Sequence, residues 1–142
     1  MVWRLVGVLA VLVAVGWLGA CGDDSNLRGY SQPLRVVERT VFYLETARDR
    51  HLSREDYQVS NDPSISGARD NIKIAFPSAV RKHVKDAAVR EQVLAKLKQL
   101  DDVFEQRVWA TASSSPADRQ EASDGCDECL RILGEVKQLL GG

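Results

Sequence analysis

The sequence AAVREQVLAKLKQLDDVFEQRVW, residues 87–109, gives the clearest indication of the fold, because its apolar side chains recur with the period of an α-helix. These apolar residues are Val89, Val93, Leu97, Leu100, Phe104 and Val108. Their steps of three and four residues place them in one stripe along a helix. Asp86 comes directly before the stretch and has the side-chain oxygen that caps a helix N-terminus. The pattern predicts a helix from Ala87 to about Trp109.

Segments with the same period lie on both sides of this stretch. The first helix is predicted from Pro33 to about Leu52, and the fourth from Pro116 to about Leu140. Ser115 followed by proline is a typical helix start, because the hydroxyl caps the first turn and proline needs no N–H there.

The second helix is predicted to begin at Pro63, after the capping residue Asp62. It contains Pro77, which lacks an N–H and crowds the preceding turn, so the helix should kink there. Four amphipathic helices with short connections predict an all-α fold. The expected architecture is an antiparallel four-helix bundle whose second helix is kinked at Pro77.

The N-terminal segment has the order of a secretory signal. Arg4 supplies a positive charge, an uncharged run occupies residues 5–18, and small residues precede Cys21. The run Leu18-Gly19-Ala20-Cys21 resembles the lipobox of bacterial lipoproteins. The resemblance implies cleavage before Cys21, a diacylglycerol on its sulfur, and a fatty acid such as palmitate on its amino group. Cys21 is therefore the predicted lipidation site.

This resemblance divides the chain into a cleaved signal peptide (1–20), a lipidated cysteine with a flexible tether (21–32) and the bundle domain (33–142). A plain signal peptide and an uncleaved anchor are the alternatives, the latter because residues 5–22 come close to the roughly 20 residues that span a bilayer. The lipoprotein interpretation predicts a protein in the cell membrane or outer membrane, with its domain in the periplasm or outside the cell. Gly22 lacks the aspartate that favours the inner membrane in enteric bacteria, which favours the outer membrane.

The charge balance of the chain excludes one class of partner. The chain has 19 basic and 20 acidic residues, and Arg4 is the one charged residue among the first 20, so the mature chain carries a net charge of −2. This lack of a basic surplus argues against nucleic acid as a partner. The predicted partners are the membrane, through the lipid, and an envelope protein.

Cys126 and Cys129 form the one constellation with possible chemistry. They continue the apolar stripe of the fourth helix, so both sulfurs should face the bundle interior. One interpretation is a local structural disulfide, typical of an oxidising envelope, or two buried small apolar side chains. A disulfide three residues apart fits a helix start better than a regular helix, and Asp124 and Gly125 offer such a start.

A second interpretation rests on a resemblance. A cysteine pair on the last helix of a four-helix bundle is similar to the cytochrome c-prime family, in which two cysteines hold the haem and the next residue, a histidine, ligates iron. Gly125-Cys126-Asp127-Glu128-Cys129 matches the first part of this pattern, but Leu130 stands where the family has histidine. We therefore predict no cofactor.

A third interpretation is a metal or thiol-redox site. His51 and His83 would complete a Cys₂His₂ zinc set by count, and two thiolates can bind copper(I). In an up-and-down bundle the two histidines lie at opposite ends, so both cannot reach the same cysteines. We expect each histidine to be an ordinary residue of the surface or of the core edge.

The carboxylates Asp101, Asp102 and Glu105 are expected on a polar face of the third helix, with no partner evident in the sequence. With no catalytic residues recognised, the predicted function is a non-enzymatic binding or interaction module. The alternatives are a copper- or zinc-binding or thiol-redox protein that uses Cys126 and Cys129, and an immunity or inhibitor lipoprotein.

Overall fold

Four helices build the part of the chain that the computed structural model describes, residues 30–54, 62–111 and 115–142. These residues contain no strand, so the predicted all-α class is confirmed. In chain order the helices are α1 (Ser31–Ser53), α2 (Pro63–Asp70, continued by the π-helical Asn71–Ala75 and the α-helical Phe76–His83), α3 (Ala87–Val103, continued by the π-helical Phe104–Trp109) and α4 (Pro116–Leu139). The predicted signal, the lipidation site Cys21 and most of the predicted tether lie outside the described residues.

Three helices begin at the caps that the sequence predicts. Backbone N–H groups in the first turn donate to Asp62 at 2.7 Å, to Asp86 at 3.0 Å and to Ser115 at 3.2 Å. Each cap satisfies a donor that has no partner within its helix. α1 begins at Ser31, ahead of Pro33, and the proline fits because the first-turn N–H groups have no intrahelical acceptors.

α2 continues through Pro77 by way of a π-helical turn. The Phe76 N–H donates to the carbonyl of Asn71, five residues back, at the junction with the last α-helical segment. Pro77 has no N–H and cannot bond four residues back. The wider turn changes the hydrogen-bond ladder just before the proline, and the helical path extends to His83.

The core forms where the apolar stripes of the helices meet. α1 packs against α2 and α4, and α3 packs against the same two helices. The predicted stripe of α3 is buried from Val93 to Val108, and Phe76 and Phe104 are the largest fully buried side chains. Among the described helices, none is both long enough and apolar enough to cross a membrane.

Ion pairs join the outer faces of α3 and α4. Lys96 contacts Glu135 at 2.7 Å, and Arg107 contacts Glu121 at 2.7 Å. The two ion pairs therefore link α3 and α4 at separate points along both helices.

Gly125 allows α4 to approach α3 closely. A β-carbon at this position would lie 2.8 Å from the β-carbon of Arg107 and 3.0 Å from Cγ2 of Val108. The first of these atoms is fixed by the backbone, so it cannot move without a shift of the helix. Gly134 lies on the same helix, and a β-carbon added there would meet no other part of the described fold within 4 Å.

We expect Gly125→Ala to lower the free energy of unfolding by about 1–2 kcal/mol, because overpacking costs about 1–3 kcal/mol and outweighs a helix-propensity gain of up to about 1 kcal/mol. Gly134→Ala is the matched control and should stabilise by up to about 1 kcal/mol. Urea unfolding followed by circular dichroism measures both. Equal stability of the two variants would contradict the close approach.

Candidate functional site

The two cysteines lie in the core of α4, as their place in its apolar stripe predicts. Cys126 and Cys129 are fully buried and both thiols are free. Of the two forms of the first interpretation, the structure therefore shows two buried small side chains and not the disulfide. α4 runs without a break from Pro116 to Leu139, so it does not restart at Gly125. A regular helix does not bring β-carbons three residues apart to the roughly 3.5–4.5 Å that a disulfide requires.

Burial keeps both thiols protonated. It raises the pKa of Cys126 to about 12, with a further increase from the Asp127 carboxylate and a decrease from Arg48. Burial also raises the pKa of Cys129 well above its ordinary value, and the neighbouring Cys126 adds to the shift. Because the thiolate is both the nucleophile and the metal ligand, this environment opposes redox and metal chemistry at neutral pH.

His51 is a core residue rather than a surface residue. It lies at the end of α1 with an exposed fraction of 1%. Burial lowers the pKa of His51, the Asp62 carboxylate opposes this shift, and Arg119 adds to it. The neutral form of the ring is therefore favoured in this position.

The described residues do not assemble the predicted zinc set. His83 lies at the C-terminal end of α2, whereas His51 lies beside the N-terminal end of that helix, where Arg50 contacts Asp62 at 3.1 Å. Within residues 30–54, 62–111 and 115–142, no three His, Cys, Asp or Glu side chains are grouped so that they could hold a metal ion.

Two of the three α3 carboxylates, Asp101 and Glu105, have partners on α2 that are not evident in the sequence. Arg69 Nε donates to Glu105 at 2.7 Å, and Lys73 Nζ donates to Asp101 at 3.0 Å. The hydrogen bond from Arg69 lowers the pKa of Glu105. The guanidinium of Arg69 also lies 4.1 Å from the ring centroid of Trp109, within the range of a cation–π contact. The partners lie 36 and 28 residues apart in the chain, so no local sequence pattern indicates these two pairs.

A groove of about 580 Å³ opens between α2 and α3, and sequence reasoning missed it. Its lining combines apolar and charged side chains, namely Ile72, Lys73, Pro77, Arg81, Leu94, Leu97, Lys98 and Asp101. Part of the groove could have been inferred from the sequence. Positions 73, 77 and 81 are four residues apart and therefore share one face of the predicted helix, beside the predicted kink.

Two cations of this groove are uncompensated. Arg81 and Lys98 are exposed, and in the described part of the chain no hydrogen bond or ion pair engages their side chains. Lys73 is already neutralised by Asp101 and Glu105. The groove therefore offers an apolar floor with free positive charge at its rim, which suits an anionic, partly apolar ligand.

Comparisons of the chain with protein-family models, with curated proteins and with solved structures found no match. The chemistry of the two sites therefore has to be judged on their own residues. The cysteine pair is closed and neutral, whereas the groove is open and charged. Of the two, the groove has the physical character of a binding site.

We predict that both thiols of a protein spanning residues 22–142 react with a thiol reagent at least about 100-fold more slowly in the native state than in denaturant, because access requires opening of the core. The measurement is the labelling rate at about pH 8, with and without urea, where the reagent is selective for thiols. Two thiols should be counted after unfolding without reductant.

A count of zero after unfolding would contradict the free-thiol core, since it would mean that the two sulfurs are joined. Fast labelling of the native protein would contradict the burial of the thiols. A variant with Cys126→Ala reports Cys129 alone and shows whether the two sites are equally protected.

Proposed function

We propose that this chain is a bacterial envelope lipoprotein whose helical domain is a non-enzymatic binding module, held at the membrane by a lipid on Cys21. The observation that carries the anchoring is the run Leu18-Gly19-Ala20-Cys21 after an uncharged segment. In an acylated protein, several buried acyl chains contribute about 0.8 kcal/mol per methylene and hold the chain firmly.

Two features of the described domain support a binding role over cysteine chemistry. Cys126 and Cys129 are buried and their pKa values are raised. The α2–α3 groove, by contrast, is accessible and carries the free cations Arg81 and Lys98. We infer that the groove is the binding surface of the module.

The finer arrangement that we infer is an antiparallel bundle with α2 kinked at Pro77. It is supported by the ion pairs between α2 and α3, in which Arg69 contacts Glu105 and Lys73 contacts Asp101. From the first pair to the second, the residue number rises on α2, from Arg69 to Lys73, and falls on α3, from Glu105 to Asp101. This is the order expected for two antiparallel helices. The π-helical turn before Pro77 supports the kink, since insertions in the hydrogen-bond ladder bend helices.

The partner that best fits the groove is an acidic segment of another envelope protein that also presents apolar side chains. Leu94 and Leu97 supply the apolar floor, while Arg81 and Lys98 attract the acidic groups. Charge complementarity of this kind raises the association rate and selects among partners. A lipid tether confines the module to partners that lie close to the same membrane.

Lipidation is tested by labelling bacteria with radioactive palmitate. The full-length chain should incorporate label, and Cys21→Ser should abolish it, because the modified sulfur is lost. Cys129→Ser is the matched control and should keep the label, since labelling is read on denaturing gels and does not depend on folding.

An unlabelled wild-type chain would overturn the lipoprotein proposal. Label that survives Cys21→Ser would place the lipid at another residue and would equally contradict the role of Cys21.

The binding surface is tested by photo-crosslinking in living cells. A photoreactive residue in place of Leu94, in the groove, should form a discrete adduct with another envelope protein. The same residue in place of Glu38, on the exposed face of α1, is the control and should not form this adduct. Lys98→Glu should lower the Leu94 adduct, because it reverses a charge at the rim.

Adducts that are equal at both positions, or absent from the groove, would contradict the groove as the binding surface. Persistence of the Leu94 adduct in the Lys98→Glu protein would contradict an acidic partner.

A further inference from the structure

The turn that joins α2 to α3 is strongly cationic. Residues 81–90 carry four basic side chains, Arg81, Lys82, Lys85 and Arg90, against the single acid Asp86, which gives a net charge of +3. Including the next acid of the chain, at position 91, leaves a net charge of +2. Three of the basic residues, those at positions 81, 82 and 85, are exposed.

Hydrogen bonds hold this turn in one conformation. Lys85 Nζ donates to the carbonyl of Lys82 at 3.0 Å, and Arg90 donates to the carbonyl of Val84 at 3.1 Å. Asp86 accepts from a backbone N–H in the first turn of α3, so the single acid of the turn is used as a helix cap. The cationic turn is therefore a defined surface.

The opposite end of the domain carries the opposite charge. Residues 116–128 of α4 contain five acidic side chains against one arginine, a net charge of −4. The contact of Glu121 with Arg107 places this segment at the C-terminal end of α3. Twenty residues of helix separate Arg107 from the start of α3 at Ala87, a distance of about 30 Å at about 1.5 Å per residue.

The start of α1, which follows the predicted lipidation site in the chain, lies at the cationic end. Leu34, in the first turn of α1, lies against Gly142 after the end of α4, where a β-carbon on the glycine would be 2.8 Å from Cδ2 of the leucine. Gln92 of α3 and Leu139 of α4 line one groove, so the starts of α1 and α3 share this end.

The segment between the anchor and the domain is short. Nine residues lead from Cys21 to Tyr30, and a fully extended chain of this length spans at most about 30 Å. The start of α1 therefore cannot lie farther than this from the lipid. The cationic turn at the same end lies within reach of the membrane surface.

We propose that the turn of residues 81–90 docks on the anionic lipid headgroups of the membrane that holds the Cys21 lipid, so that the domain stands on its cationic end with its acidic end outward. This inference rests on the lipoprotein proposal above. A basic residue near an anionic bilayer strengthens binding about fivefold, and the attraction vanishes beyond a Debye length. The tether keeps the domain close to the membrane, and the attraction of the exposed cations to the headgroups orients the domain.

Hydrogen exchange on the lipidated protein tests this docking. The protein is purified from bacterial membranes and reconstituted into vesicles of phosphatidylcholine alone, or of phosphatidylcholine and phosphatidylglycerol in equal parts. Amides of residues 84–90 should exchange more slowly on the anionic vesicles. In about 1 M salt, where the Debye length is about 3 Å, the difference should disappear.

Two variants separate this docking from a general effect of charge. Lys82→Gln combined with Lys85→Gln should weaken docking about 30-fold and restore the exchange rate seen on neutral vesicles. Arg39→Gln combined with Arg131→Gln removes two exposed cations from α1 and α4, outside the cationic turn and the groove, and should leave the difference unchanged. Inorganic phosphate added to neutral vesicles should not slow exchange.

Each contrary result has a defined meaning. Equal exchange on both vesicles overturns the docking while the lipid anchor stands. The docking is also overturned if both double variants lose the difference in exchange equally, because a general effect of charge would then explain it. Slower amide exchange in the presence of free phosphate overturns it too, because membrane headgroups would not be required. Failure of palmitate labelling overturns the lipoprotein proposal and the docking together.

Discussion

The burial of one face of α4 against α1 and α3 is the constraint on which the rest of the structure depends. Gly125 permits the close approach to α3, because a side chain there would meet the β-carbon of Arg107, which the backbone fixes, and Cγ2 of Val108. The same face carries Cys126 and Cys129, which fill the core as small apolar groups. The apolar stripe of α4 is continuous because α4 runs without a break from Pro116 to Leu139. The alignment of α4 along α3 determines which residues form the ion pairs between their outer faces.

This constraint also decides where chemistry can occur. Thiols that fill a core are desolvated, their pKa values rise, and the thiolate needed for redox or metal chemistry is suppressed. The proposed functions therefore use the surface, where the α2–α3 groove and the cationic turn lie. The two proposals use neighbouring parts of the molecule that share Arg81. The groove, lined by Leu94 and Lys98, is assigned to a protein partner, and the turn, with Lys82 and Lys85, is assigned to lipid headgroups.

Local patterns in the sequence predicted the helices well and the contacts between helices poorly. The caps Asp62, Asp86 and Ser115 were recognisable because a cap depends on residues within one turn. The pairing of Glu105 with Arg69 was not, because it depends on how α2 lies against α3. The disulfide prediction was wrong because it required an interruption of α4 at Gly125, and a helix absorbs one glycine at about 1 kcal/mol. For the groove, the sequence places positions 73, 77 and 81 on one face of α2, but the opposite wall on α3 depends on how the two helices pack.

We infer a lipid-anchored domain whose cysteines are structural and whose outer surfaces carry its function. The decisive measurement is the intact mass of the protein extracted from bacterial membranes, with thiols alkylated after unfolding and without prior reduction. We predict a chain that begins at Cys21, carries an N-terminal lipid, and bears two alkyl groups, on Cys126 and Cys129. A chain that keeps residues 1–20, or one that is two hydrogen atoms lighter and takes up no alkyl group, would contradict this inference.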